Sequence, residues 1–295
     1  MSENTGENAQ MMPSNRYDLA YLLSRVNLPS LPEAVIKLNQ AISDDAALDD
    51  IEAIIRTEPA ILARVLNLAN SAWYRVEKPV TNIKDAVSSI GFQTIHRLII
   101  ITSVIDIFQG VDSTLLNMKT YWKQSVRMAC AAKLIAEETG NDAAFRIFTS
   151  GVLAYIGKLV LCIGVPGTEQ KALLISKDEA IPQNQAELQI IGHDHAEVGS
   201  ELLRKWFIPD EIACPIKFLY NPQQAPAEYR LDASILNIAH HMQYTYWHDI
   251  ALTDPPAPPN GQAMQTLGIT EDMLPSLSRK VDEEYRAVLA LLELQ

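Results

Sequence analysis

Apolar residues recur along this chain with the three-to-four-residue period of amphipathic helices. Leu31, Ala34, Val35, Leu38, Ala41 and Ile42 share one helical face, and Pro32 suits the first turn of that segment. Pro59 opens a helix from Ala60 to about Asn70, apolar on most sides and so expected to be buried. Another spans Asn82 to Ile90 and ends at Gly91, and the next runs from Phe92 to about Phe108. Ser113 is a good N-cap for a long helix reaching Thr139, with Gly140 as its stop. The apolar stretch from Asp142 to Val165 is expected to break near Gly151. Asp194 and Glu197 have capping-box spacing ahead of a helix that buries Val198, Leu202 and Trp206. Pro209 begins a helix that Pro215 should kink. One more covers about 227 to 250. The run DPPAPPNGQ (Asp254 to Gln262) then reads as a linker. A last amphipathic helix aligns Val281, Tyr285, Val288, Leu289 and Leu292. With no strand alternation of useful length and no internal repeat, the fold class is all-α. Residues 1–15 read as a flexible tail, 16–112 as an N-terminal helical lobe, 113–250 as a second helical lobe, and 251–295 as the linker and final helix.

Composition narrows the function. The chain of 295 residues carries 24 basic and 36 acidic side chains, a net charge of −12. Binding nucleic acid by phosphate neutralisation needs a basic surplus, so no nucleic-acid partner is expected. Adsorption to an acidic membrane surface is disfavoured for the same reason. The longest apolar runs, Leu98–Phe108 and Gly151–Val165, are respectively too short to span a bilayer and interrupted by Lys158. No basic start and apolar core mark a signal peptide, so the sequence predicts a soluble, cytoplasmic protein without a membrane partner. Cys130, Cys162 and Cys214 are odd in number and far apart, which indicates neither a disulfide framework nor a zinc knuckle.

Several segments, in order along the chain, resemble the HDOD family, a bacterial regulatory branch of the HD phosphohydrolase superfamily. They are LPSLPEAVIKL (Leu28 to Leu38), RTEPAILARVLNLANSAWY (Arg56 to Tyr74), IKDAVSSIGFQTIHRL (Ile83 to Leu98), GVLAYIGKLVL (Gly151 to Leu161) and HAEVGSELLRKWFIP (His195 to Pro209). The resemblance covers about residues 20 to 240. It implies an N-terminal helical lobe packed on a degenerate HD-like helical bundle.

HD enzymes hold one or two divalent metals with a His, an adjacent His-Asp pair and a distant Asp, and the metal activates a water toward a phosphoester. Carried over residue by residue, the first His falls on Gln124 and the His-Asp pair on Ala154 and Tyr155. A later His-His region falls on Leu219 and Tyr220, and the distant Asp on His240. Ala154 and Leu219 cannot ligate a metal, and Tyr155 and Gln124 are poor ligands for Mg, Mn or Zn. The expectation is therefore a lost metal site and no cofactor.

Two other groupings compete with that reading. His193, Asp194 and His195, together with His240 and His241, could form a rebuilt metal site. The plainer expectation is a helix start with Asp194 capping, and His residues in packing or surface roles. The dipeptide His248-Asp249 lies beside the linker without the Gly-Lys context of the family. Asn70 and Ser71 close a buried helix, either as a structural terminator or to present Ala72, Trp73 and Tyr74 to a partner. Tyr244, Tyr246 and Trp247 are expected in packing. GVPG (Gly164 to Gly167) reads as a turn, not a phosphate loop.

The function expected is a non-catalytic regulatory module of bacterial signal transduction, acting on a signalling protein partner in trans. One alternative is a metal-dependent phosphohydrolase with an unorthodox His/Asp cluster. Another is a nucleotide or small-molecule sensor whose vacated pocket is lined by Gln124, Tyr155, Lys158 and His195. The final helix is either a lid on the bundle or a homodimer element, and its apolar stripe does not decide between them.

Overall fold

The computed structural model describes residues 17–25, 30–44, 46–71, 79–109, 114–247 and 259–292. These contain α-helices, three short 3-10 turns and no strand. The helices are α1 (Leu19–Arg25), α2 (Glu33–Ser43), α3 (Leu48–Arg56), α4 (Pro59–Ala69), α5 (Ile83–Ile90), α6 (Phe92–Gln109), α7 (Met118–Glu138) and α8 (Ala144–Leu153). They continue with α9 (Ile156–Gly164), α10 (Pro166–Glu179), α11 (Gln183–Ile190), α12 (His195–Lys205), α13 (Asp210–Lys217), α14 (Arg230–Tyr246), α15 (Gly261–Leu267) and α16 (Leu274–Leu291). The all-α expectation holds.

Local chemistry places many of the ends. The Asn82 side chain accepts from the Asp85 amide at the start of α5, and Gly91 takes φ 82° at its end. The Asp194 side chain accepts from the Glu197 amide and caps α12. Asn70 is structural. Its side-chain amide donates to the Val80 carbonyl, and its oxygen accepts from the Val80 amide, which fastens the end of α4 to the entry of α5.

Some sequence expectations are corrected. The break in the 142–165 stretch falls at Ala154-Tyr155, not at Gly151. Gly151 sits inside α8, where a Cβ would lie 2.6 Å from the Ala129 Cα of α7; it is there for close packing. Asn117 caps α7, and Ser113 lies outside the described residues, as do Ala72, Trp73, Tyr74, His248 and Asp249. The Gly164–Gly167 stretch is not an open turn, because α10 begins at Pro166 immediately after α9. The helix expected over 227 to 250 is α14, preceded by the 3-10 turn Ala227–Tyr229. Pro215 lies inside α13, which stops two residues later.

The core is built around α7, against which α8, α14 and α16 pack. Its Ala129, Ala131, Ala132 and Ala136 are fully buried and let those neighbours approach closely. The 144–164 stretch is apolar enough to cross a membrane, but 89% of its most apolar 18-residue window is buried inside the fold. The N-terminal helices reach the rest through α1 on α9 and α12, and through α6 on α8. A buried polar bridge marks this junction. His96 Nε2 and the Asn39 oxygen are 2.8 Å apart, and the Asn39 amide donates to the Trp206 carbonyl at 2.9 Å. The last helix docks in cis. Val281, Tyr285 and Val288 are buried, and the Arg127 guanidinium of α7 lies 4.2 Å from the Tyr285 ring centre. Lys133 of α7 pairs with Glu284 at 2.6 Å.

Candidate functional site

The break between α8 and α9 sets Tyr155 at a helix start, and a backbone crossing fixes where it points. At Gly157 a Cβ would stand 1.9 Å from the His195 carbonyl oxygen, and at Gly199 one would stand 2.9 Å from the Gly157 nitrogen. Only paired glycines allow α9 and α12 to cross this closely. The crossing brings the Tyr155 and His195 rings to 6.1 Å between centres. The turn after α13 adds Tyr220, and α14 adds His240, Gln243 and Tyr244.

These groups form a hydrogen-bonded cluster in the interior. The Tyr155 hydroxyl and His240 Nδ1 are 2.7 Å apart, and the Gln243 amide donates to the same hydroxyl at 3.1 Å. The Tyr220 hydroxyl meets His195 Nε2 at 2.7 Å. On its other edge, His195 Nδ1 meets the Glu187 carboxylate at 2.7 Å, and the His195 backbone amide donates to that carboxylate as well. Tyr220 and His240 stack edge-to-face at 5.1 Å, and His240 meets Tyr244 the same way at 4.9 Å. Tyr155, Glu187 and His195 are essentially sealed from solvent.

The carried-over positions therefore divide. Tyr155, Tyr220 and His240 meet in this cluster. Ala154 and Leu219 are buried beside it and bring no polar side-chain atom. Gln124 lies elsewhere, in the wall of a separate cavity. Of the two His groupings, His195 and His240 reach this cluster, each held by a tyrosine hydroxyl, while the other three members are engaged elsewhere. His193 pairs with Glu197 at 2.8 Å, Asp194 caps α12, and His241 Nε2 meets the Thr245 hydroxyl at 3.2 Å. Among the described residues no three His, Cys, Asp or Glu side chains are placed to hold a metal. The capping box is half formed, because Glu197 is engaged by His193 and Lys217 instead of reaching back to its own helix start. That pairing, led by the His193 hydrogen bond, holds the Glu197 carboxyl down at about 2.

Beside the cluster lies a cavity of about 640 Å³, between the start of α7 and helices α9, α10 and α11. Lys158 joins the two. Its ammonium sits 5.1 Å from the Tyr155 ring centre and donates to the Gln183 oxygen at 2.8 Å. The Gln183 amide in turn donates to Glu169 Oε1 at 2.9 Å. Glu169 is fully buried, and burial, reinforced by the charge of Glu187, pushes its carboxyl up to about 8. Of the four pocket residues expected from sequence, Gln124 and Lys158 line this cavity, whereas Tyr155 and His195 are closed into the cluster. Glu169, Gln183, Glu187 and Gln243 escaped the sequence reading. They lie on helices, and nothing in local spacing distinguishes them from surface polar residues. The three cysteines are buried and free, and burial pushes each thiol up.

Comparison with known proteins agrees with this architecture. An HDOD domain protein of unknown function from Geobacter sulfurreducens superposes with a TM-score of 0.72 at 24% identity, covering 94% of this chain and 98% of its own. A candidate phosphohydrolase from Shewanella amazonensis gives 0.67 at 24%, covering 93% and 98%. A candidate signal transduction protein from Marinobacter aquaeolei gives 0.71 at 18%, covering 99% and 68%. An uncharacterized Treponema pallidum protein is 28% identical over 206 residues, 69% of this chain, which spans only 40% of that relative's length. At these identities the structural likenesses speak for the fold. The HDOD domain itself matches residues 28–222, about two thirds of the sequence, and the chain belongs to the HDOD domain family.

Proposed function

We propose that this chain is a non-catalytic regulatory module that acts by binding a signalling protein, and that its HD-type metal site has been replaced by packing. One observation carries the reading. At the positions where the family resemblance puts an HD enzyme's metal ligands, Tyr155, Tyr220 and His240 bond and stack on one another, with Ala154 and Leu219 beside them. Of those positions His240 alone keeps a good metal donor, and the His195 and Glu187 groups of the cluster are bonded to Tyr220 and to each other. The names of two structural neighbours, one a candidate phosphohydrolase and one a candidate signal transduction protein, are both compatible with an HD-derived regulatory role.

A surface feature suits protein binding. Phe207 closes α12 in a Schellman arrangement, its amide donating to the Arg204 carbonyl and the Ile208 amide to the Leu203 carbonyl. It takes φ 56°, a conformation normally given to glycine, and its side chain is 48% exposed. A left-handed non-glycine backbone that leaves about half of a large apolar residue in solvent favours a role in contact.

Two measurements test the reading. Purified protein assayed with Mn²⁺ or Mg²⁺ and a chromogenic phosphodiester should show no turnover, and should release no stoichiometric metal on denaturation. Turnover or bound metal that disappears in His195→Ala or His240→Ala would overturn it. Phe207→Gly should leave the fold at least as stable, and should weaken recovery of whatever protein co-purifies with the wild type from its own cells.

A further inference from the structure

We infer that the cavity between the start of α7 and helices α9, α10 and α11 is a binding site for a small amphiphilic carboxylate, with its acid head at Lys158 and its apolar body toward Leu174. The inference goes beyond the regulatory reading and does not depend on it.

Charge argues first. The protein carries a net −12, yet the charged groups in this wall are Lys158, Lys177 and a single carboxyl, Glu169. Burial pushes that carboxyl up to about 8, so at neutral pH it presents a proton rather than a negative charge. The wall thus presents two ammonium groups and, with that proton, no negative charge of its own, the nearby Glu187 carboxylate being engaged by His195.

Unmet hydrogen bonding argues next. Glu169 Oε2 is buried without a hydrogen-bond partner just behind this wall. Such groups cost stability unless something satisfies them. A protonated carboxyl and an ammonium both donate, so a ligand at this end meets them best with an acceptor. Lys158 is the one cation at the buried end, 7% exposed, while Lys177 is near the rim. A single buried ammonium matches a single negative charge better than a phosphate dianion.

Shape and apolarity define the rest of the ligand. Leu115, Leu116, Leu173 and Leu174 line the cavity around its polar end, and Leu174 is 53% exposed at its mouth. The volume of about 640 Å³ lies within the range of small-molecule sites, roughly 300–1,000 Å³. A medium-chain carboxylate would cover these leucines and supply the acceptor.

The test is calorimetric titration of the full chain with octanoate, decanoate and dodecanoate, with decanol and decyl phosphate as controls. Expected are one site per chain, a rise in melting temperature, and affinity for decanoate above that for both controls. Leu174→Glu, on an exposed position that folding tolerates, should weaken decanoate binding by about tenfold or more through charge repulsion. Lys158→Met should do the same, with circular dichroism confirming its helix content. Absence of carboxylate binding overturns the inference. So does equal affinity for decanol, which would mean nonspecific apolar uptake. Stronger binding of decyl phosphate would assign the head group wrongly and overturn it too, as would binding unchanged in both variants.

Discussion

The Tyr155 hydroxyl and His240 Nδ1 lie 2.7 Å apart although 85 residues separate them in sequence. The contact joins the start of α9 to the middle of α14, and the Gln243 amide adds a second bond to the same oxygen. Tyr155→Phe removes that oxygen and keeps the ring. Gln243 loses a partner in a place water does not reach, and His240 loses one at a half-buried edge; an unmet buried group costs about 1–3 kcal/mol. Urea unfolding should show a loss of that size with an unchanged m-value. A neutral substitution would mean that the hydroxyl contributes nothing to the cluster.

The glycine crossing that positions the cluster is more sensitive. Gly157→Ala would drive a methyl to within 1.9 Å of the His195 carbonyl oxygen, a backbone atom that cannot step aside. Gly167→Ala, at the start of α10, meets nothing within 4 Å. The expected pair of outcomes is an insoluble or grossly destabilised Gly157→Ala protein and a Gly167→Ala protein within about 0.5 kcal/mol of wild type. Expression yield and thermal unfolding of the two variants side by side give the answer.

What could be read from sequence follows from the range of the forces involved. Asn82 and Gly91 bound α5, and Asp194 starts α12, because capping and turn chemistry act within a few residues. The break at Ala154-Tyr155 was not legible. Gly151 looked like the breaker, but it serves a contact with Ala129 on another helix. Tyr155, Tyr220 and His240 could be singled out only through resemblance to a family, since no local spacing links them. Glu187 and Glu169 were invisible. Each sits on a helix whose polar and apolar residues are too mixed to reveal a buried carboxylate, and each finds its role through partners on other helices. The cavity was anticipated by two of its residues, Gln124 and Lys158, but joined to Tyr155 and His195, which the fold seals away.

His96 gives the junction of the N-terminal helices a pH dependence. Burial, aided by the charge of Arg97, pushes its imidazole down to about 4 from an ordinary 6.5. Between those values the unfolded chain binds the proton and the folded one does not. Stability is therefore fully present above 6.5 and declines as pH falls toward 4, by about 3 kcal/mol from this residue. His96→Gln keeps a side-chain amide that can meet the Asn39 oxygen and cannot titrate. The difference in unfolding free energy between wild type and variant should shift in the variant's favour as pH drops from 7 to 4.5. A constant difference over that range would exclude His96 as the titrating group.

Glu169 works in the opposite direction. Its carboxyl titrates near 8 when folded and near 4.5 when unfolded, so in between the folded protein holds a proton that the unfolded chain releases. The contribution of this group is fully present below 4.5 and is lost as pH rises through 8. The ceiling on that loss is about 5 kcal/mol, and local rearrangement around Lys158 and Gln183 will reduce it. Glu169→Gln mimics the protonated carboxyl and cannot release a proton. At pH 5 the two proteins should be close in stability, and at pH 8.5 the variant should be the more stable by at least about 1 kcal/mol. Equal pH profiles would mean that Glu169 is already ionised in the fold. In that case the cavity would carry a negative charge at its buried end, and the carboxylate inference would fail with it.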